Sequence, residues 1–160
     1  MQIMSVPIKV PEGANIVIGQ SHFIKSVEDI YEAVATTVPQ AKFGIAFAEA
    51  SGPCLVRHDG NDSDLENEAV KACLEIGAGH SFVLILKGAY PINVLNRLKE
   101  VQEICNIYCA TANAIEVVVA QAATGRGILG VVDGSSPRGV EGDVEKADRV
   151  TFLQKIGYKR

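Results

Sequence analysis

The run Thr124-Gly-Arg-Gly-Ile-Leu-Gly-Val-Val-Asp-Gly134 constrains the fold more than any other segment of the chain. Its glycines fall at Gly125-x-Gly127-x-x-Gly130, the spacing of a dinucleotide-binding fingerprint. That fingerprint needs a strand before the loop and a helix opening inside it, so that phosphate meets the helix N-terminus. A strand-like run precedes the glycines, but Ile128-Leu-Gly-Val-Val132, which follows them, is also of β type. The pattern therefore argues against a Rossmann unit. It fits a glycine-lined hairpin whose backbone N–H groups and Arg126 approach a ligand phosphate. The alternative is a tight turn with close strand packing. No Gly-x-x-x-x-Gly-Lys-Ser/Thr occurs, so a P-loop mechanism has no support.

Elsewhere strand-like and helix-like patterns interleave. Apolar runs predict strands over 3–10, 15–19, 42–48, 55–57, 80–86, 107–110, 115–121 and 128–132. Pro11-Glu-Gly13 joins the first two. One helix starts at Ser26 as its cap, with Glu28 and Asp29 in the first turn, and stops at Pro39. Residues 58–62 read as a loop. Ser63 and Glu66 then form a capping box for a second helix that Gly77-Ala-Gly79 ends. Pro91 opens a third, and a fourth runs over 143–156 with Gly157 as C-cap. The order predicts an α/β fold: a single compact domain over residues 1–160, with mixed β-sheet, one or two, flanked by about four helices. A chain of 160 residues buries roughly 68–70% of its unfolded surface and needs no staples.

The net charge of −4 argues against a nucleic-acid partner. No apolar run approaches the ~18–20 residues that span a membrane, and the N-terminus lacks a signal-peptide pattern. No membrane association and a cytoplasmic location are the expectations. Cys54, Cys73, Cys105 and Cys109 form no Cys-x-x-Cys pair and read as small buried apolar residues.

Polar residues at the ends of apolar runs are the site candidates. His22 and His80 leave or enter buried strands. Each suits either a hydrogen-bonded structural role or that of a general base or phosphoryl acceptor. His58, beside Asp59, reads as a solvated turn residue. Glu49, Asp62 and Asp133 border strands beside glycine, where a carboxylate can hold magnesium, accept from a ribose hydroxyl or close a turn. Asn61, Asn93 and Asn113 occupy similar positions.

Taken together, Ile18-Gly-Gln-Ser-His-Phe-Ile-Lys25, Phe43-Gly-Ile-Ala-Phe-Ala-Glu-Ala-Ser-Gly52, Gly60-Asn-Asp62, Ala78-Gly-His80, Tyr90-Pro-Ile-Asn-Val-Leu-Asn96, Cys109-Ala-Thr-Ala-Asn113, the 125–134 run, Ser136-Pro-Arg-Gly-Val-Glu141 and Ile156-Gly-Tyr-Lys159 resemble the adenosine-specific kinase family. The resemblance implies a compact α/β fold, a homotrimer, and binding of adenosine, AMP, ADP or ATP. It also implies a stably phosphorylated histidine, His22 or His80. The expected chemistry is a magnesium-dependent phosphotransfer with ATP as phosphate donor. Arg126, helped by Lys25, would neutralise phosphate, and the Gly125–Gly127 backbone would cradle it. Asp133, Glu49 or Asp62 would hold Mg2+ or orient the attacking hydroxyl. The same residues serve a non-catalytic AMP/ADP sensor, and polar strand ends also suit a structural trimeric assembly protein.

Overall fold

The computed structural model describes residues 1–160 and resolves these patterns into eight strands and four helices. In chain order they are β1 (Gln2–Ile8), β2 (Asn15–Ser21), α1 (Ser26–Thr37), β3 (Lys42–Ala48), β4 (Val56–Gly60), α2 (Ser63–Ile76), β5 (Ser81–Lys87), α3 (Pro91–Lys99), β6 (Ile104–Thr111), β7 (Ile115–Gln121), β8 (Arg126–Asp133) and α4 (Asp143–Lys155). The strands form two antiparallel sheets, a five-stranded one ordered β4-β3-β5-β2-β6 and a three-stranded one ordered β1-β7-β8. The expected single α/β domain with four helices is the one found.

β5 lies at the centre of the larger sheet, and its near-continuous apolar run follows from that place, because both its faces are covered. Val17, Phe43, Ile45, Phe47, Phe82, Leu84 and Leu86 form one face with the apolar stripes of α1 and α3. Ile16, Ile18, Ala46, Val83 and Ile85 form the other, packed on α2 and on Val117 and Val119 of the smaller sheet. α2 sits so close to β3 that a Cβ at Gly44 would lie 2.1 Å from the Glu66 nitrogen. Only glycine leaves room there.

Several local expectations change. Pro11-Glu-Gly13 joins β1 and β2 as expected, but the two strands belong to different sheets, so the turn is a crossover and not a hairpin. β4 extends through His58, Asp59 and Gly60, so only Asn61 and Asp62 remain of the expected loop. The second helix is capped one residue earlier than expected. Asp62 Oδ1 accepts the Leu65 N–H at 3.1 Å, and Glu66 turns to His58 Nδ1 at 2.5 Å. Ser26 does not cap α1: it is buried as the first helical residue, its hydroxyl bonded to the Phe23 carbonyl and to Ser21 Oγ. β8 begins at Arg126, so the turn of the glycine hairpin is 122–125, closed by Ala122 N–H to the Gly125 carbonyl at 2.8 Å. Gly77, with φ 63°, ends α2 as expected, and Pro91 opens α3.

Candidate functional site

The antiparallel registers give the molecule two ends. At one, Phe47 pairs with Phe82, Gln20 with Ser81, and Gln121 with Arg126. At the other, Lys42 pairs with Lys87, Ile16 with Thr111, and Ile115 with Asp133. The candidates divide between them. His22, Lys25, Glu49, His80, Gly125, Arg126 and Gly127 lie at the first end, and Asn61, Asp62, Asn93, Asn113 and Asp133 at the second.

At the first end a cleft of about 640 Å³ opens between the sheets, walled by the β3–β4 turn, the 77–79 loop and the glycine hairpin. Arg126 crosses its floor. Its Nε donates to Gln121 Oε1 at 2.8 Å, and its Nη1 donates to the carbonyls of Glu75 at 3.0 Å and Ile76 at 3.3 Å. The guanidinium thus satisfies the open carbonyl end of α2, where the helix dipole favours a cation. Nη2 makes no hydrogen bond within the chain, which leaves one edge of the guanidinium for an anion. A Cβ added at Gly125, Gly127 or Gly130 would meet nothing within 4 Å. Packing inside the chain therefore does not demand these glycines, and the bare backbone runs along β8, an edge strand.

Glu49 also lines this cleft, but its carboxylate ties the β3–β4 turn. Oε2 accepts the Leu55 N–H at 2.9 Å, and Oε1 meets Arg57 Nε at 2.8 Å and Nη2 at 2.7 Å. The Leu55 N–H and the Arg57 guanidinium hold its pKa below the usual glutamate range. Glu49 and Asp62 stand at opposite ends of the β3–β4 hairpin, so one ion cannot take both. No group of three or more His, Cys, Asp or Glu side chains converges as a metal cage. A magnesium ion in the cleft would have Glu49 as its nearest carboxylate and would draw its remaining ligands from phosphate and water, as Mg2+ commonly does.

The histidines stand outside the cleft. The His80 ring stacks on Phe47 at 5.8 Å, on the sheet face that packs against α1 and α3, while the cleft opens on the other face. His80 has φ 63°, a left-handed conformation uncommon outside glycine, stabilised by its N–H to the Ala48 carbonyl at 2.7 Å. His22 is exposed, and its N–H donates to the Glu103 carbonyl at 3.0 Å. Lys25 pairs with Asp29 at 2.7 Å and lies 3.9 Å from Glu103. Both Glu103 carboxyl oxygens are buried without a hydrogen-bond partner. Burial raises its pKa above the usual range, and Asp29 adds to this against Lys25.

At the second end, Asn61 cross-links the sheet, with Oδ1 accepting from Phe43 N–H at 2.8 Å and Nδ2 donating to the Ala41 carbonyl at 2.9 Å. Asn93 Oδ1 accepts the Tyr90 N–H at 2.8 Å and caps α3. Asn113 and Asp133 do meet: Asp133 Oδ1 accepts from Asn113 Nδ2 at 3.0 Å and from Thr111 Oγ1 at 2.8 Å. Arg126 and Asp133 occupy the two ends of β8, roughly 23 Å apart at ~3.3 Å per residue. One phosphate cannot touch both within a chain. Sequence reasoning missed Thr111, Gln121, Arg57 and Glu103. Thr111 carried a signal, since it sits inside Cys109-Ala-Thr-Ala-Asn113; Glu103 carried none.

The sequence pattern of the family described as adenosine specific kinase matches residues 6–159. Among solved structures, the PH1918 protein from Pyrococcus horikoshii OT3 is similar at 46% identity and a TM-score of 0.95, over 99% of this chain and 98% of that one. No curated protein matches. The match from Val6 to Lys159, with the α/β fold that carries it, shows that the chain belongs to the adenosine-specific kinase family.

Proposed function

We propose that the chain is a phosphotransferase acting on adenosine or an adenine nucleotide, with the phosphate held in the hairpin cleft. One observation carries this reading. Arg126 is fixed by three hydrogen bonds through Nε and Nη1 while Nη2 stays open, beside glycines that leave their backbone bare. Phosphoryl transfer asks mainly for positioning and charge neutralisation. Arg126 Nη2 neutralises phosphate oxygens and the N–H groups of the hairpin cradle them. Mg2+ brought in with ATP would add charge neutralisation there, with Glu49 as the cleft's carboxylate to hold it. By the covalent route, an imidazole nitrogen of His22 or His80 attacks the γ-phosphorus and ADP leaves; the adenosine hydroxyl then takes the phosphoryl group and frees the imidazole. Assembly as a homotrimer, which we propose with it, would serve this route, because a neighbouring copy could bring a histidine, or Asp133, to a cleft that its own chain leaves without one.

The test is Arg126→Ala, which should weaken AMP about 10–100-fold, the worth of charge-assisted hydrogen bonds of about 1.5–3 kcal/mol, and adenosine far less. An equal loss for both ligands would sink the phosphate assignment. Incubation with γ-labelled ATP should leave an acid-labile, alkali-stable adduct that His22→Asn or His80→Asn removes; its absence rules out the covalent route. A second reading, a sensor that binds AMP or ADP without turnover, is favoured by the position of both rings outside the cleft. Product analysis with ATP and adenosine separates the two.

A further inference from the structure

The short segment that carries His22 is fastened at both ends by one residue. His22 N–H donates to the Glu103 carbonyl at 3.0 Å, and Lys25 Nζ lies 3.9 Å from Glu103 Oε2. Between these two points Phe23 and Ile24 are exposed, so packing does little to hold the segment. A serine pair closes its base: the Ser26 hydroxyl bonds the Phe23 carbonyl and meets Ser21 Oγ at 2.5 Å.

Glu103 stands between α3 and β6, with its side chain 1% exposed and neither carboxyl oxygen hydrogen-bonded. A buried carboxyl group without a partner is costly, and in a native structure it calls for a reason. Lys25 faces it from the β2–α1 loop and Asp29 from α1, while Glu32, also on α1, acts on Lys25. On the β6 side the Cys105 thiol donates to the Glu103 carbonyl at 3.4 Å. One ammonium therefore stands between two carboxyl groups. It bonds Asp29 Oδ2 at 2.7 Å, and a shift of about 1 Å would bring it within hydrogen-bond reach of Glu103 as well. An ammonium carries three donors, so it can serve both.

We propose that Lys25, Asp29 and Glu103 form a proton-operated latch on the His22 segment. With Glu103 protonated, Lys25 rests on Asp29 alone. When Glu103 gives its proton to water, its carboxylate draws the Lys25 ammonium between itself and Asp29. The 22–25 segment is then pulled onto the α3–β6 connection and carries His22 with it. Burial raises the Glu103 pKa, whereas the Lys25–Asp29 hydrogen bond holds the Asp29 pKa below and the Lys25 pKa above their usual values. Asp29 and Lys25 thus stay charged while Glu103 titrates, and a single proton works the device. The latch is loose below the folded pKa of Glu103 and closed above it. It goes beyond the phosphotransferase reading and does not depend on it, since it acts on the segment whether or not the His22 ring takes a phosphoryl group.

The experiment is a pH titration of the full chain by NMR, with no ligand added. Phe23 and Ile24 are the reporters, because their amides make no hydrogen bond to Glu103. In the wild type, their amide shifts, the Lys25 Nζ resonance and the Glu103 carboxyl carbon should all step at one midpoint, above the ordinary glutamate value of about 4.3. Glu103→Gln should abolish the step at Phe23 and Ile24. Lys25→Met should abolish it there too, while Glu103 still titrates and does so at higher pH, having lost its cation. A step at Phe23 and Ile24 that survives either substitution overturns the latch. A wild-type Glu103 that titrates while Phe23 and Ile24 stay still also overturns it, as does one that never titrates in the folded chain. The wild-type comparison stands without the variants, so a substitution that fails to fold leaves the test in force.

Discussion

Glu103 offers the sharpest quantitative test of the physical reading. Its side chain is 1% exposed, and neither carboxyl oxygen has a hydrogen-bond partner. An ionised carboxylate in that place lacks solvation, and Lys25, 3.9 Å away, is already bonded to Asp29. Burial therefore favours the protonated form of Glu103 and raises its pKa, with neighbouring Asp29 adding to the shift. A raised folded pKa means that the native state holds this proton more tightly than the unfolded chain does. The stability it contributes is full below the ordinary glutamate pKa of about 4.3 and is lost as pH rises through the folded value. Glu103→Gln substitutes a neutral group of the same shape that never ionises. The variant should match the wild type at low pH. Above the folded pKa of Glu103 it should be more stable by about 1–3 kcal/mol, the cost of a buried unsatisfied polar group. Urea midpoints over a pH series measure this, and each kcal/mol moves Tm by about 2–4 °C at this chain length. In the infrared, the protonated-carboxyl band should vanish in the variant. A Glu103→Gln protein less stable than the wild type at every pH would show that Glu103 is ionised and paired with Lys25.

Gly44→Ala should destabilise by about 1–3 kcal/mol or more, because its Cβ would lie 2.1–2.3 Å from the backbone of Glu66 and Leu65. Gly127→Ala meets open space and should stay within about ±0.5 kcal/mol in denaturant midpoint while weakening AMP; a normal AMP affinity would mean that the bare backbone is not a phosphate contact. Asp62→Ala removes the α2 cap and should cost about 1 kcal/mol, with no dependence on magnesium in thermal unfolding. Burial pushes the Cys73 thiol up to about 12 and the Cys109 thiol up to about 11, whereas Cys54 and Cys105 are exposed. Alkylation followed by mass spectrometry should therefore label Cys54 and Cys105 in the native chain and reach Cys73 only on unfolding.

The features legible in the sequence were those with a short-range physical cause. Pro91 and Gly77 announced a helix start and a helix end, because φ at each is decided by the residue itself. The apolar run of β5 announced a strand covered on both faces. The α2 cap was misplaced by one residue because Asp62 and Ser63 are both competent caps. The choice between them follows from β4 extending through Gly60, which pairs with Gly44. Similarly, Pro11-Glu-Gly13 reads the same whether it closes a hairpin or carries the chain from one sheet to the other. Arg126 was singled out from its glycines, but its anchoring on Glu75 and Ile76 spans some fifty residues and left no local trace.

The sequence by itself determined the class of fold, the family and the places where glycine and proline set the backbone, since each depends on periodicity, on single-residue sterics or on motifs in order. It also marked Arg126 and Asp133 as residues worth attention. Only the tertiary structure decided which candidates share a location. Sheet register sends Arg126 and Asp133 to opposite ends of one strand, turns the His80 ring to the face away from the cleft, and brings Tyr90, Thr111 and Tyr158 around one groove. Register is fixed by long-range pairing and by which faces are buried, and no local run of residues encodes it.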